Sequence, residues 1–198
     1  MNKGMTDKES PQNAGAGHVP AQGVERPGQS NAPQGEERSY TLVVHVNDRP
    51  GAVDRVVGLL RRRRAGMQTL VIGRSEEPGM VRITVNVNDS EVMVDHLLEQ
   101  LRKIIDVRHI VNLSTTQAVA RELALIKVDS TAANSGEIIE LGHLYGAHVV
   151  DATGETITLE VTGSEEKVEK LVSQLQNYGV REVARTGYVA MARGLDHP

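Results

Sequence analysis

The 198-residue chain contains no cysteine. That absence removes disulfides, thiolate zinc sites, iron–sulfur clusters and a cysteine nucleophile together, and it suits a reducing cytoplasm. Phenylalanine and tryptophan are missing too, and tyrosine occurs only four times. Modules that stack nucleic-acid bases on sheet aromatics have no platform here. There is no excess of positive charge either. The 22 basic and 26 acidic residues leave a net charge of −4, which speaks against a general nucleic-acid binder. No apolar run approaches the roughly 18 residues of a membrane span. The N-terminus lacks the apolar segment of a secretory signal. The expectation is a cytoplasmic protein with neither a nucleic-acid nor a membrane partner.

The core must come from 26 Val, 16 Leu, 9 Ile and 16 Ala. Val and Ile favour a pleated sheet, so strands should be prominent. Residues 1–38 differ from the rest. They hold six Gly, four Pro and four Gln, and their only large apolar residues are Met1, Met5, Val19 and Val24. Such a segment cannot bury enough surface to offset its chain entropy, and it reads as a disordered tail.

Periodicity starts at Tyr40. Tyr40–Val46 is a β-branched run that stops at Asn47-Asp48-Arg49-Pro50-Gly51. Ala52–Arg64 places Val53, Val56, Val57 and Leu60 at helical spacing. Met67–Arg74 reads as a strand, Glu76-Glu77-Pro78-Gly79 as a hairpin turn, and Met80–Val87 as an alternating strand. Asp89–Ile104 returns to helical period through Val94, Leu97, Leu98 and Leu101, and Val107–Leu113 closes as a strand. The order βαββαβ then repeats. Leu123–Val128, His148–Ala152, Thr156–Val161 and Val180–Arg185 are strands. Ser135–Tyr145 and Glu165–Tyr178 are helices, with Ser164 as an N-cap and Gly146 and Gly179 as C-terminal stops.

The fold class is therefore α+β, with two successive ferredoxin-like βαββαβ domains. The expected organisation is a tail over 1–38, domains over 39–115 and 116–194, and terminal residues 195–198. Each domain is small enough to be marginal alone. The first strand is apolar on both faces, with Leu42, Val44 and Val46 on one and Val43 on the other. The face away from the helices needs cover, and oligomerisation through a sheet edge or face would supply it.

Chemistry is scarce. There is no phosphate loop, no dinucleotide fingerprint, no nucleophile elbow and no H-E-x-x-H. His45 and His109 fall on strands that could be neighbours, but no carboxylate accompanies them, so packed histidines are expected and no metal site. No catalytic residue is assigned. Arg61-Arg62-Arg63-Arg64 ends the first helix, where cations complement the dipole. A solvated helix end is the plainer reading, and a patch for an acidic partner the functional one. The best site is the first strand–helix turn. Asp48 can cap, Pro50 fits the first helical turn, and Gly51 admits close approach to the backbone. Free N–H groups there suit a small carboxylate.

The stretches VNDRPGAVDRVVGLLRRR, LVIGRSEEPGMVRITV and LEQLRKIIDV resemble the ACT domain of the small, regulatory subunit of acetolactate synthase. RELALIKV, GAHVVDAT and VREVARTGYVAMARG resemble that family's C-terminal domain. The resemblance runs from about Ser39 to Gly194. It implies a non-catalytic subunit that activates a catalytic large subunit and mediates feedback by valine or a related amino acid. The catalytic subunit makes acetolactate from pyruvate in branched-chain amino-acid biosynthesis. Thiamine diphosphate, Mg and FAD are expected on that partner and no cofactor on this chain.

In the family, ACT domains pair side by side as a homodimer and hold the effector at their interface. The turn of one chain supplies backbone groups, here Asp48, Gly51, Ala52 and Val53. The other chain contributes Gly66 and Met67. Two departures stand out. The family's Arg-Gly-aromatic-Asn-Ile is here Arg63-Arg64-Ala65-Gly66-Met67, so Gly66 replaces the Asn expected to meet the effector. Asp48 stands where Asn is common. Weakened or altered valine binding is expected. The alternative is a stand-alone ACT-type amino-acid sensor with no catalytic partner. A ferredoxin-like hydrolase would need a phosphate-binding Arg loop, which is missing.

Overall fold

A computed structural model describes residues 36–62 and 66–194. The tail expected over 1–38 lies outside these residues as far as position 35. Arg63, Arg64, Ala65, His18, His197 and the terminal residues 195–198 lie outside them as well.

The first domain contains β1 (Arg38–Asn47), α1 (Ala52–Arg62), β2 (Gly66–Arg74), β3 (Met80–Asp89), α2 (Glu91–Arg102) and β4 (Val107–Asn112). The second contains β5 (Ala118–Asp129), α3 (Ser135–Leu144), β6 (His148–Ala152), β7 (Thr156–Gly163), α4 (Glu165–Leu175) and β8 (Val180–Ala192). Arg38 already pairs in β1, so the expected edge of the tail falls inside a strand. Each domain has a four-stranded antiparallel sheet, ordered β2-β3-β1-β4 and β6-β7-β5-β8.

The helices form where apolar spacing demands them. In α2, Val94, Leu97, Leu98 and Leu101 are buried at i, i+3, i+4 and i+7, and α4 repeats the spacing with Val168, Leu171, Val172 and Leu175. Fully burying one such side chain contributes about 1.5–3 kcal/mol. The Ser164 hydroxyl accepts from the Lys167 N–H at 3.4 Å and opens α4. Beyond Leu144, Gly146 adopts φ +62° and Ala147 N–H bonds Gly142 O at 2.9 Å, closing α3. On β1, Leu42, Val44 and Val46 face the helices with Ile83, Val85 and Val87 of β3.

Two strands are longer than their sequence pattern suggests. β5 starts at Ala118 rather than Leu123, and β8 runs to Ala192 rather than Arg185. Their extensions pair with each other, from Glu122↔Tyr188 to Ala118↔Ala192. The register shifts between Glu122 and Ala124, where Leu123 N–H bonds the Thr186 hydroxyl at 3.1 Å. The shift re-aims the ribbon. It reaches the face of the first sheet that the helices leave open. There Ala190 packs with Val43 and Leu113, joined by Val111, Ala118, Ala120 and Ala192. The ribbon reads weakly as strand because alanine is depleted in strands. Its small side chains are what let the ribbon lie close on the first sheet.

This corrects the expectation that a second molecule covers that face. Val43, Thr84 and Asn86 are almost fully buried, under a segment of the same chain. Polar ties join the same surfaces. Arg82 donates to Ala190 O at 2.6 Å, and the Asn86 amide donates to the Tyr188 hydroxyl.

Candidate functional site

β1 ends at Asn47, and the chain turns into α1 through Asp48-Arg49-Pro50-Gly51. Gly51 has φ +77°, a left-handed conformation that favours glycine. Asp48 is exposed, but its N–H bonds Gly79 O at 2.8 Å. Ala52 N–H bonds Arg49 O at 3.0 Å, and the Ala52 side chain is fully buried. Among the described residues, the N–H groups of Gly51, Val53 and Asp54 have no acceptor within the chain. Two of the four predicted turn residues, Gly51 and Val53, thus keep the free donors of a helix start. The cap expected from Asp48 is not what closes this turn, because the Ala52 N–H goes to a backbone carbonyl.

Behind the turn, Arg55 on α1 donates through Nε to Asp106 Oδ2 at 3.0 Å. Asp106 is buried and also accepts the Asn47 N–H on its backbone oxygen at 2.9 Å. The start of α1 is thereby tied to the entry of β4.

Gly66 and Met67 open β2, the edge strand of the first sheet. Within one chain they do not meet the turn. Asn47 pairs with Met80, and Gly66 pairs with Asn88, eight residues further along β3, or about 27 Å. The two halves of the predicted site lie at opposite ends of the same sheet. Among the described residues the outer edge of β2 has no partner strand, and the strand carries the exposed apolar residues Met67 and Ile72.

Gly66 has a structural reason to be glycine. A Cβ there would run into the Asn88 carbonyl oxygen. The β2 register shifts just beyond, between Met67 and Thr69. No side chain fits at position 66 unless that end of the pairing opens.

The histidine pair also resolves. His45 and His109 are cross-strand neighbours with ring centroids 6.2 Å apart, edge to face. His45 Nε2 lies 3.1 Å from an Arg82 nitrogen. A guanidinium only donates, so this nitrogen accepts and carries no proton. Burial lowers the His45 pKa, with Arg82 and His109 acting in the same direction and Glu76 and Glu77 opposing. Among the described residues no three His, Asp or Glu side chains cluster as a metal site.

Sequence reasoning missed the seam between the domains. Arg82, Thr84 and Asn86 alternate with core residues and read as solvent-facing. Only the ribbon above them reveals that Thr84 and Asn86 are buried and Arg82 half-buried. Glu122 is similar. It is 4% exposed, and burial raises its pKa, with Glu165 and Glu169 adding to the rise and Arg185 opposing it.

Residues 42–109 match the family described as the AHAS small subunit-like ACT domain. Residues 121–194 match the family described as the small subunit of acetolactate synthase. The chain is 42% identical over 156 residues to the acetolactate synthase small subunit of Mycolicibacterium smegmatis, covering 79% of this chain and 92% of that protein. It is 37% identical over 155 residues to a probable acetolactate synthase small subunit of Archaeoglobus fulgidus, covering 78% and 97%. The crystal structure of the Thermotoga maritima acetolactate synthase small subunit superposes with a TM-score of 0.73 at 31% identity, covering 79% of this chain and 98% of that one.

Proposed function

The chain belongs to the acetolactate synthase small-subunit family, and from that membership we propose that it is a regulatory subunit without chemistry of its own. It binds the catalytic large subunit, raises its activity and makes it answer to valine or a related branched-chain amino acid. Thiamine diphosphate, Mg and FAD stay with the catalytic partner.

The observation that carries the effector reading is the separation of the two half-sites. The free N–H groups at Gly51 and Val53 and the start of β2 at Gly66 and Met67 lie about 27 Å apart in one chain. A second copy, paired along the open β2 edge, brings one half from each protomer to a common seam. A long unpaired edge strand is seldom left bare, which supports the same homodimer. The effector's carboxylate meets the free N–H groups of the helix start, and Asp48 stands near for its ammonium.

Regulation needs a path from that seam to the second domain, and β2 offers one. Its first residues lie at the proposed seam. A few residues on, Thr69 and Val71 touch the ribbon at Gly187. An effector shifts an equilibrium only by its different affinity for two states. A few hydrogen bonds at the seam supply about 1–3 kcal/mol of coupling, or roughly 5–150-fold modulation.

The test is acetolactate formation by the cognate catalytic subunit at saturating pyruvate, with and without this chain. A several-fold rise is expected, and valine added to the same assay reads the effector site. No change with both proteins folded would favour the stand-alone amino-acid sensor.

A further inference from the structure

The ribbon formed by the ends of β5 and β8 is tied to the first sheet through one side chain that has two partners. Arg82 on β3 donates from one guanidinium nitrogen to Ala190 O on the ribbon at 2.6 Å. Its other terminal nitrogen lies 3.1 Å from His45 Nε2 on β1. Ala190 packs at that point against Val43 and Leu113. A guanidinium is planar, so one orientation of Arg82 has to satisfy both acceptors. The histidine ring therefore helps to aim the bond that holds the ribbon.

The ring can do this only while it is neutral. A protonated imidazole donates from both nitrogens and accepts at neither. It also sets a second positive charge against the Arg82 guanidinium, and His45 is buried, so solvent screens the pair poorly. Arg82 then has to swing away, and its bond to Ala190 O goes with it. Burial opposes the charge on His45 most, and Arg82 on β3 and His109 on β4 oppose it too. Glu76 and Glu77, exposed in the turn between β2 and β3, favour it.

We propose that His45 and Arg82 form a pH-sensitive latch between the two domains: with His45 neutral, Arg82 holds the Ala190 end of the ribbon on the first sheet, and with His45 protonated that end is released. The closed form binds the proton more weakly than the open one, so opening is favoured as pH falls below 6.5. The tie from Asn86 to the Tyr188 hydroxyl does not involve His45, so the ribbon lifts from its Ala190 end.

The chain has no cysteine, so a Thr84→Cys variant of the full chain carries a single thiol beneath the ribbon. Thr84 is 2% exposed there, on β3 between Arg82 and Asn86. The rate at which dithiodipyridine labels that thiol, divided at each pH by the rate in concentrated urea, measures how often the ribbon lifts. Between about pH 7.5 and 5.5 the ratio should rise several-fold. Linkage to one group with an ordinary value of 6.5 caps the rise at about tenfold. Val85→Cys, from a fully buried position facing the helices, reads opening of the first domain as a whole. At pH 5.5 the Thr84→Cys thiol should react several times faster than the Val85→Cys thiol, because the ribbon lifts without unfolding the domain.

His45→Gln, added to Thr84→Cys, keeps a side-chain acceptor that does not titrate, and the rise should vanish. Glu122, at the root of the ribbon, favours the closed form as pH falls, since burial raises its pKa. It does so equally in both chains, so the difference between their profiles belongs to His45. Arg82→Gln gives a second reading should His45→Gln fail to fold. Its Thr84→Cys thiol should react faster already at pH 7.5, and its rise toward pH 5.5 should be smaller. The latch is overturned by no rise in Thr84→Cys, by a rise that persists in His45→Gln, or by an Arg82→Gln profile equal to that of its parent. Equal rates for Thr84→Cys and Val85→Cys at pH 5.5 would overturn it too, since the whole domain would then be opening.

Discussion

Gly187 offers the sharpest test of how the two domains are joined. It has φ +71°, and a Cβ there would sit 3.2 Å from Thr69 Cβ and 3.2 Å from Val71 Cγ2. Gly79 is its natural control, with φ +77° and nothing within 4 Å of its Cβ. A left-handed conformation costs an L-residue roughly 1–2 kcal/mol. Replacing glycine by alanine recovers about 0.4–1 kcal/mol through the unfolded chain. Gly79→Ala should therefore destabilise by about 0–1.6 kcal/mol. Gly187→Ala carries the same backbone term plus overpacking against two atoms that yield little. One is a Cβ fixed to the β2 backbone, and the other is on a stiff β-branched side chain. Overpacking of this kind costs about 1–3 kcal/mol, so Gly187→Ala should destabilise by roughly 1–4.6 kcal/mol, always about 1–3 kcal/mol more than the control.

Urea unfolding of both variants, with the slope checked for a split transition, measures the difference directly. Adding Val71→Ala to Gly187→Ala removes one of the two close contacts. The pair should be less destabilised than the sum of the singles. A Gly187→Ala loss within about 0.5 kcal/mol of the Gly79→Ala loss, the usual scatter for independent sites, would refute the close approach of ribbon and β2.

Gly66→Asn, which places there the residue that the family resemblance leads one to expect, should lose about 1–3 kcal/mol without producing tight valine binding, because its Cβ meets the Asn88 carbonyl. Calorimetric titration with valine, alongside urea unfolding, reads both effects. Arg55→Ala should cost about 1–3 kcal/mol, since it leaves the buried Asp106 carboxylate without its donor. The lower half of that range is favoured because Arg55 is itself half exposed, and adding Asp106→Asn should recover part of the loss. His45 predicts a pH dependence. Its folded pKa lies below 6.5, so between the two values the unfolded chain binds more protons. Stability from this group is complete above 6.5 and is lost as pH falls from there through the folded pKa. Urea midpoints between about pH 5 and pH 8 should show that loss, and His45→Gln should remove it.

The sequence by itself determined the two βαββαβ units. Leu42, Val44 and Val46 alternate at the period of a strand, and Val94, Leu97, Leu98 and Leu101 recur at the period of a helix. Those periods are local, so the elements, their order and the caps at Ser164 and Gly146 were legible without neighbours. The turn at Asp48–Gly51 was legible for the same reason, since Pro and Gly constrain their own backbone. The extended ribbon was not, because Ala118, Ala120, Ala190 and Ala192 carry little strand preference of their own. Their value lies in the surface they meet. Only the tertiary structure decided that Asn86 is buried and Arg82 half-buried, that Gly66 is held against Asn88, that the turn at Gly51 and the start of β2 stand a sheet's length apart, and that Glu122 and Thr69 line one cleft. Each of these depends on segments far apart in the chain. Long-range proximity leaves no period in the sequence, and a polar residue under a distant strand looks the same, residue by residue, as one in water.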